Sequence, residues 1–436
     1  ICMEYYAKSK KVQFTSERIN EIKKNMKNIE ECLKENLTET DVEILNSSIT
    51  DIAEKTEEKQ KTLKEHHKDI VTCAEMFFLE YGEYFTEKEK KLVVEACRIH
   101  DLGKVNLVFQ AMICPKLAEK FHIDVRKTSQ IPHGFLSAVT ISLDEFDDLS
   151  ELFSDKDFGP FITAVYYHHD REDHYNSPAI RKYAEKYYMK QIEEYLNRKI
   201  RKLNCSNLDD LLFRNNVYTG KYIPDSNAWK EYLLIKGLLN KFDYTVSAGY
   251  ENAESAIDLH EKKLVKNIEK FLNGKELRPA QKFMKMNRDK NLIVIAPTGS
   301  GKTEASLLWM NGEKSFYTLP LKVSSNAIYL RIKENYEYKD VALLHSDAMA
   351  VYLREYNGNE DIGEKYERSK MLSQPLTVCT VDQLFRFVYR ALGTEIFAAT
   401  LKYSKLVLDE IQAYEPRVIA TIIYLSLIHI SEPTRR

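Results

Sequence analysis

The residues with most to offer chemically are His100 and Asp101, in the run Arg98-Ile99-His100-Asp101-Leu102-Gly103-Lys104. An aspartate next to a histidine can lend one oxygen to each of two cations, so the pair could anchor a two-metal site. Alone, the pair reads first as a buried histidine beside a surface carboxylate. Its setting recurs, however, at His66, His133, His168, His169 and Asp243, so that five of the eleven histidines fall at helix ends or on buried stripes. This mixture of imidazole and carboxylate suits Mn, Fe, Co, Ni or Zn better than Mg or Ca, which favour all-oxygen shells. Two divalent ions with two carboxylates leave a net charge of about +2, enough to hold a phosphate and ionise a bridging water. Such a pair supports in-line attack on a phosphodiester.

The elements that must position these residues are helices. Leu92 to His100 has helical spacing, with Val93, Ala96, Cys97 and His100 on one face. His66 lies in a run from Thr62 to Leu79 that reads as a buried helix. Pro132 and Gly134 shape a helix entry with His133 at its mouth. The apolar run from Phe161 to Tyr167 delivers His168 and His169, and adjacent histidines can share one metal only near a helix end or a bend. Trp229 to Ala248 predicts a long helix with Leu234, Leu238, Leu239, Phe242 and Val246 on one stripe and Asp243 at its edge. A carboxylate facing a core needs a cationic partner, either a metal or a nearby Arg or Lys. Residues 15–65 add helices with one apolar stripe and a charged face.

Near Phe271-Leu272-Asn273-Gly274-Lys275 the periodicity changes. β-rich runs at Leu292–Ala296, Ser315–Leu319, Val341–Leu344, Leu376–Thr380 and Lys405–Asp409 alternate with helical ones, which predicts a mainly parallel sheet with crossover helices. Ala296-Pro297-Thr298-Gly299-Ser300-Gly301-Lys302-Thr303 follows the first of these and opens a helix at Glu304. Its glycines let backbone N–H groups wrap a β-phosphate, Lys302 reaches the β and γ oxygens, and Thr303 binds Mg²⁺. The run Leu406-Val407-Leu408-Asp409-Glu410 ends an apolar strand in two carboxylates: Asp409 to hold Mg²⁺ through water, and Glu410 to orient the attacking water. ATP with Mg²⁺ is the expected ligand. The fold class is therefore multi-domain: an all-α domain over 1–265, a linker over 266–276, and an α/β lobe over 277–426.

Lys and Arg total 64 against 66 Asp and Glu, so no global basic field advertises nucleic acid, and any such contact needs a local groove. Basic runs such as Lys199-Ile200-Arg201-Lys202 could line a DNA path or be a solvated helix face. The seven cysteines include no C-x-x-C pair, which speaks against a zinc ribbon and a disulfide framework. No signal peptide is visible, and the longest apolar run, Val418 to Ile430, falls short of the roughly 20 residues a bilayer requires. No membrane partner and a cytoplasmic location are expected. The first residue is Ile, and Met3 reads as a natural start.

The series H…HD…H…HH…D, with the opening Tyr5-Tyr6-Ala7-Lys8-Ser9, resembles the HD-superfamily nuclease domain of the CRISPR-associated nuclease-helicases of type I systems. The phosphate loop and the Asp-Glu box resemble DExD/H helicases of superfamily 2, with Arg278-Pro279-x-Gln281 similar to their adenine-side element. Pro320 to Arg331 and Thr380-Val381-Asp382-Gln383 are similar to their DNA-facing motifs. The resemblance implies that His66, His100, Asp101 and Asp243 bind one transition metal (Mn, Fe, Co or Ni) and that Asp101 bridges. His133, His168 and His169 would complete a second, with Lys104 steadying the phosphate or the metal-bound hydroxide. His66 rather than His67 fits the pattern L-x-x-H-x-x-D. It further implies single-stranded DNA as substrate, a 3′–5′ helicase, and an RNA-guided multi-subunit CRISPR effector complex as partner. A phosphohydrolase of free nucleotides, or a module that binds ATP or DNA without turnover, are the other readings. Only 26 residues follow Glu410, too few for the second lobe such helicases use, and residues 427–436 read as a non-native tail.

Overall fold

The computed structural model describes residues 5–7, 61–141, 158–169, 177–200, 203, 227–255, 261–354, 362–388 and 393–431. The helices expected over 15–65 fall almost wholly outside these residues, as do Arg201 and Lys202 of the basic run and the end of the expected tail. In chain order come α1 (Leu63–Tyr81), α2 (Glu87–Ile99), α3 (Leu107–Ile113), α4 (Pro115–Lys120), α5 (His133–Thr140), α6 (Phe158–Tyr166), α7 (Ser177–Tyr187), α8 (Met189–Leu196) and α9 (Asn227–Ser247). Among the described residues this region is helical but for one antiparallel bridge, Tyr6 with Thr62.

Three further helices, α10 (Lys263–Leu272), α11 (Pro279–Met286) and α12 (Lys302–Met310), lead to β1 (Ser315–Leu319). Then follow α13 (Lys322–Glu334), β2 (Val341–Leu344), α14 (Ala348–Arg354), α15 (Ile362–Lys370), β3 (Leu376–Thr380), α16 (Val381–Leu384), α17 (Glu395–Leu401), β4 (Lys405–Leu408) and α18 (Pro416–Ser431). The strands form one parallel sheet in the order β2-β3-β1-β4. Thr318 pairs with Cys379 on one side and Leu408 on the other, so the segments after β3, β1 and β4 leave the sheet at the same edge. In open parallel sheets that is where ligands bind. Every residue of β1, β2 and β3 is buried, as a strand covered on both faces requires. Tyr317 and Val378 join one core with Leu307, Leu308 and Tyr329, while Phe316 and Cys379 join another with Leu384 and Tyr414.

Two expectations are corrected here. Leu292–Ala296 is not a strand, because no described residue gives it a ladder partner. Leu292 and Val294 pack against the core, while Ile293 and Ile295 are 92% and 97% exposed. The stretch expected as a linker begins inside α10, whose Leu264, Val265 and Ile268 belong to the core of the α/β lobe. In addition, α18 runs to Ser431, into the stretch expected as a tail. Among the described residues, no helix is long and apolar enough to cross a membrane.

The chain groups into two compact units: Ile1–Lys68, His100–Glu145 and His174–Asp209 in one, and Asp69–Ile99, Phe146–Asp173 and Asp210–Arg436 in the other. The sheet therefore shares its unit with α2, α6 and α9. In α9 the expected stripe is buried, and so are Lys236, Asn240, Lys241 and Asp243 on its other sides.

Candidate metal centre and nucleotide loop

In the first unit four side chains converge on Asp101. The carboxylate stands at the end of α2's run, where the chain leaves the helix and winds through a 3₁₀ turn over Leu102–Val105. His66 Nε2 lies 3.3 Å and His100 Nε2 3.4 Å from its Oδ2, and Lys104 Nζ donates to the same oxygen at 2.6 Å. His133 Nε2 lies 3.2 Å from Oδ1. His66, His100 and Asp101 are wholly buried, and each offers a ligand atom within 4.8 Å of the others'. A buried carboxylate surrounded by imidazole nitrogens is a donor set that a divalent transition metal fits. His67 lies beside this cluster, its ring centroid 5.9 Å from that of His100; its Nδ1 lies 3.2 Å from the Tyr195 hydroxyl, and burial, aided by His100, pulls its pKa down to about 3.

Local chemistry holds this cluster in place. A reciprocal capping box, Thr62 with Glu65, starts α1 just ahead of His66. Gly103 N donates to Ser137 Oγ at 2.8 Å, and that hydroxyl donates to the His133 carbonyl at 2.9 Å, tying the turn to the first turn of α5. Asn106 caps α3 by accepting from Phe109 N at 2.9 Å, donates to the Gly103 carbonyl at 2.6 Å and accepts from Tyr183 OH at 2.9 Å. Gln110 donates to the carbonyls of Lys104 and Tyr6, at 2.8 and 2.9 Å, and accepts from Tyr6 N at 3.0 Å. Sequence reasoning missed Asn106, Gln110 and Ser137. Only Gly103, a glycine set between buried apolar and chemical residues, carried a readable signal.

The second unit holds the other expected ligands. His168, buried beyond the end of α6, has Nδ1 2.7 Å from the Val165 carbonyl. The carbonyl can only accept, so Nδ1 carries the proton and Nε2 keeps the lone pair a metal would use. Half-exposed His169 places Nε2 3.4 Å from Asp243 Oδ2, and Ser247 Oγ donates to Asp243 Oδ1 at 3.0 Å. Asp243 itself is 2% exposed.

The nucleotide loop and the Asp-Glu box also lie in this unit. Gly299 and Gly301 have φ of +79° and +84°, a region only glycine enters freely, and Gly301 caps α12. A Cβ on Gly301 would stand 2.4 Å from Gln281 Nε2, which lies 3.4 Å from the Gly301 carbonyl. Lys302 Nζ lies 3.4 Å from the Ala296 carbonyl and 3.5 Å from Glu410 Oε1. Asp409 accepts from Tyr317 OH at 2.6 Å and from Glu410 N at 2.9 Å. Burial, and after it Asp409, hold the Tyr317 phenol well above its usual range. Tyr317 is a contact the sequence did not suggest. Glu410 takes φ +52°, a strained conformation that turns its side chain back toward Lys302.

Two family models match the chain, and the first spans stretches of both units. Residues 53–227 match the family model described as Cas3, HD domain, and residues 279–435 match DEAD/DEAH box helicase. The CRISPR-associated nuclease/helicase Cas3 of Methanothermobacter thermautotrophicus is 25% identical over 435 residues, which cover 85% of this chain and 51% of that protein. The crystal structure of T. fusca Cas3 superposes with a TM-score of 0.51 at 17% identity, covering 80% of this chain and 45% of that one. Its AMPPNP form gives the same TM-score at 16% identity. The chain thus spans about half the length of these relatives.

Proposed function

Since the chain joins an HD domain of the Cas3 kind to a DEAD-type helicase lobe, we propose that its helical part is a metal-dependent nuclease for single-stranded DNA. Its α/β lobe, on the same reading, is an ATP-binding lobe of a 3′–5′ DNA helicase that serves an RNA-guided CRISPR effector complex. The observation that carries this reading is the Asp101 carboxylate, wholly buried, with three imidazole nitrogens and one ammonium within 3.4 Å. The residues that would hold the ions are His66, His100, Asp101, His133, His168, His169 and Asp243. A divalent ion of the Mn, Fe, Co or Ni class would supply Lewis acidity to a phosphodiester oxygen and acidify a water.

The chain's own residues do the rest. Asp101 gathers the imidazoles, and Lys104 offsets its charge while presenting an ammonium that a phosphate oxygen can share. The Val165 carbonyl fixes the His168 tautomer. In the lobe, Gly299 and Gly301 would open backbone N–H groups to a β-phosphate that Lys302 would neutralise, and Asp409 would hold Mg²⁺ while Glu410 would align water. Gln281 addresses the adenine side. Pro297, Thr298, Ser300 and Thr303 complete the loop.

The test is cleavage of circular single-stranded DNA by the chain and its Asp101→Ala variant, with Mn²⁺, Co²⁺ or Ni²⁺ and without ATP. The expected result is cleavage by the unmodified chain and at least a hundredfold loss in the variant. A metal-loaded chain that leaves DNA intact but hydrolyses nucleotides would replace this reading with the phosphohydrolase one.

A further inference from the structure

Helix α9, which carries Asp243, is fastened to the α/β lobe at two points, each a buried ion pair. At the first, Lys236 Nζ donates to Glu395 Oε1 at 2.7 Å, and Tyr232 OH donates to the same oxygen at 3.1 Å. Gly237 sits beside this pair, so close to α17 that a Cβ on it would stand 2.4 Å from the Glu395 carbonyl oxygen. At the second, Lys241 Nζ lies 2.8 Å from Glu254 Oε1 and donates to the carbonyls of Met371 and Leu372 at 2.9 and 3.1 Å. Glu254 Oε2 takes Lys314 Nζ at 2.5 Å, and Oε1 accepts from Tyr403 OH at 2.7 Å. Lys314 donates in turn to the carbonyls of Leu372 and Gln374.

The position of these partners matters. Lys314 immediately precedes β1, Gln374 lies just ahead of β3, and Tyr403 just ahead of β4. The Glu254 carboxylate therefore gathers groups at the roots of β1 and β4, Lys314 extends the network to the root of the neighbouring β3, and Lys241 ties it to α9 two residues from Asp243. Adhesion alone does not call for this chemistry, because apolar side chains of similar volume hold buried surfaces together at least as well. What directional hydrogen bonds to fixed carbonyls add is register.

We propose that Glu254, Lys241 and Lys314 are positioning residues that set the axial register of α9, and with it Asp243, against the sheet. The inference rests on the reading of Asp243 as a metal ligand, and its test separates the two. The chain has two tryptophans, Trp229 in α9 and Trp309 in α12. Full-length variants keeping only one of them report the unfolding of α9 and of the lobe separately, and calorimetry with Mn²⁺ reports the ligand set.

In the unmodified register both tryptophans should unfold at one midpoint. Glu254→Gln should separate the midpoints and weaken Mn²⁺ binding at least tenfold at temperatures where the chain is folded. Replacing Lys241, Glu254 and Lys314 together by methionine should restore a common midpoint without restoring Mn²⁺ affinity, a split that mere structural support does not produce. If Glu254→Gln does not fold, the triple methionine chain carries the same test. Coincident midpoints with unchanged Mn²⁺ affinity in a folded Glu254→Gln chain would overturn the proposal. Should the unmodified chain bind no Mn²⁺, the ligand reading is what fails, and coincident midpoints in Glu254→Gln would then overturn the positioning role on their own.

Discussion

Gly103 approaches His133 so closely that a Cβ on it would stand 2.0 Å from the His133 carbonyl oxygen. The obstacle is backbone, which cannot swing aside as a flexible side chain can. Gly103→Ala must therefore push apart the turn that carries Lys104 and the helix that begins at His133, breaking the Gly103 N to Ser137 Oγ bond. Overpacking of this kind costs about 1–3 kcal/mol, and a backbone obstacle puts this case at the upper end. Urea unfolding should show that loss, and Mn²⁺ binding should weaken even where the variant is folded, since His133 and Lys104 both point at Asp101. Unfolding at the unmodified urea midpoint would contradict the close approach.

Lys104 acts on Asp101 as a cation tethered three residues away, 2.6 Å from Oδ2. Without a metal, Lys104→Met leaves a wholly buried carboxylate without its ammonium, a loss of about 3–5 kcal/mol. A divalent ion bound to Asp101 replaces that charge. The variant should therefore gain more thermal stability from Mn²⁺ than the unmodified chain does, while its cleavage rate falls about a hundredfold for want of the ammonium at the phosphate. Equal stabilisation of both proteins by Mn²⁺ would mean that the ion does not bind at Asp101.

How much of this was legible in the sequence depends on how far each residue's partners lie along the chain. His66, His100 and His133 each end or begin a helix, and a histidine at the buried end of an apolar stripe is visible locally. Gln110 is not, because the Tyr6 backbone it grips lies 104 residues away. Nor are Lys236 and Lys241, because only the fold supplies Glu395, 159 residues on, to the first, and Glu254 with the Met371 and Leu372 carbonyls to the second. Leu292–Ala296 failed for the converse reason. Its composition is right for a strand, but a strand exists only where a neighbour completes its hydrogen bonds, and composition cannot report the neighbour.

Tyr317 donates to Asp409 at 2.6 Å and is buried in β1, so the phenol fixes the carboxylate expected to hold Mg²⁺. Tyr317→Phe keeps the ring and deletes the hydrogen bond to the Asp409 carboxylate, worth about 1.5–3 kcal/mol, together with the phenol's hydrogen bond with Thr303. Nucleotide affinity measured with Mg²⁺ should fall roughly tenfold, while affinity in the presence of EDTA should hardly change. A loss of equal size in both conditions would place the effect on the loop and not on the Mg²⁺ carboxylate.

The pH dependence of folding offers a sharper reading of the buried lysine at the root of β1. Burial lowers the Lys314 pKa from the ordinary 10.5 to about 8; Glu254 opposes the shift and Lys241 adds to it. Between pH 8 and 10.5 the unfolded chain holds this proton more tightly than the folded one, so the group's contribution to stability rises with pH across that window. Below pH 8 both forms are protonated, and the penalty of burying the charge is fully present. The slope from one such group is at most about 1.4 kcal/mol per pH unit. Buried tyrosines, whose pKa values burial raises, pull the other way at alkaline pH. They are present in both proteins when the chain is compared with its Lys314→Met variant, so the difference isolates the lysine. Urea unfolding at pH 7, 8, 9 and 10 should give a stability difference that is flat to pH 8 and then shifts steadily in favour of the unmodified chain. A difference constant to pH 10 would mean that Lys314 keeps its proton in the folded chain, with Glu254 holding the charge more firmly than burial expels it.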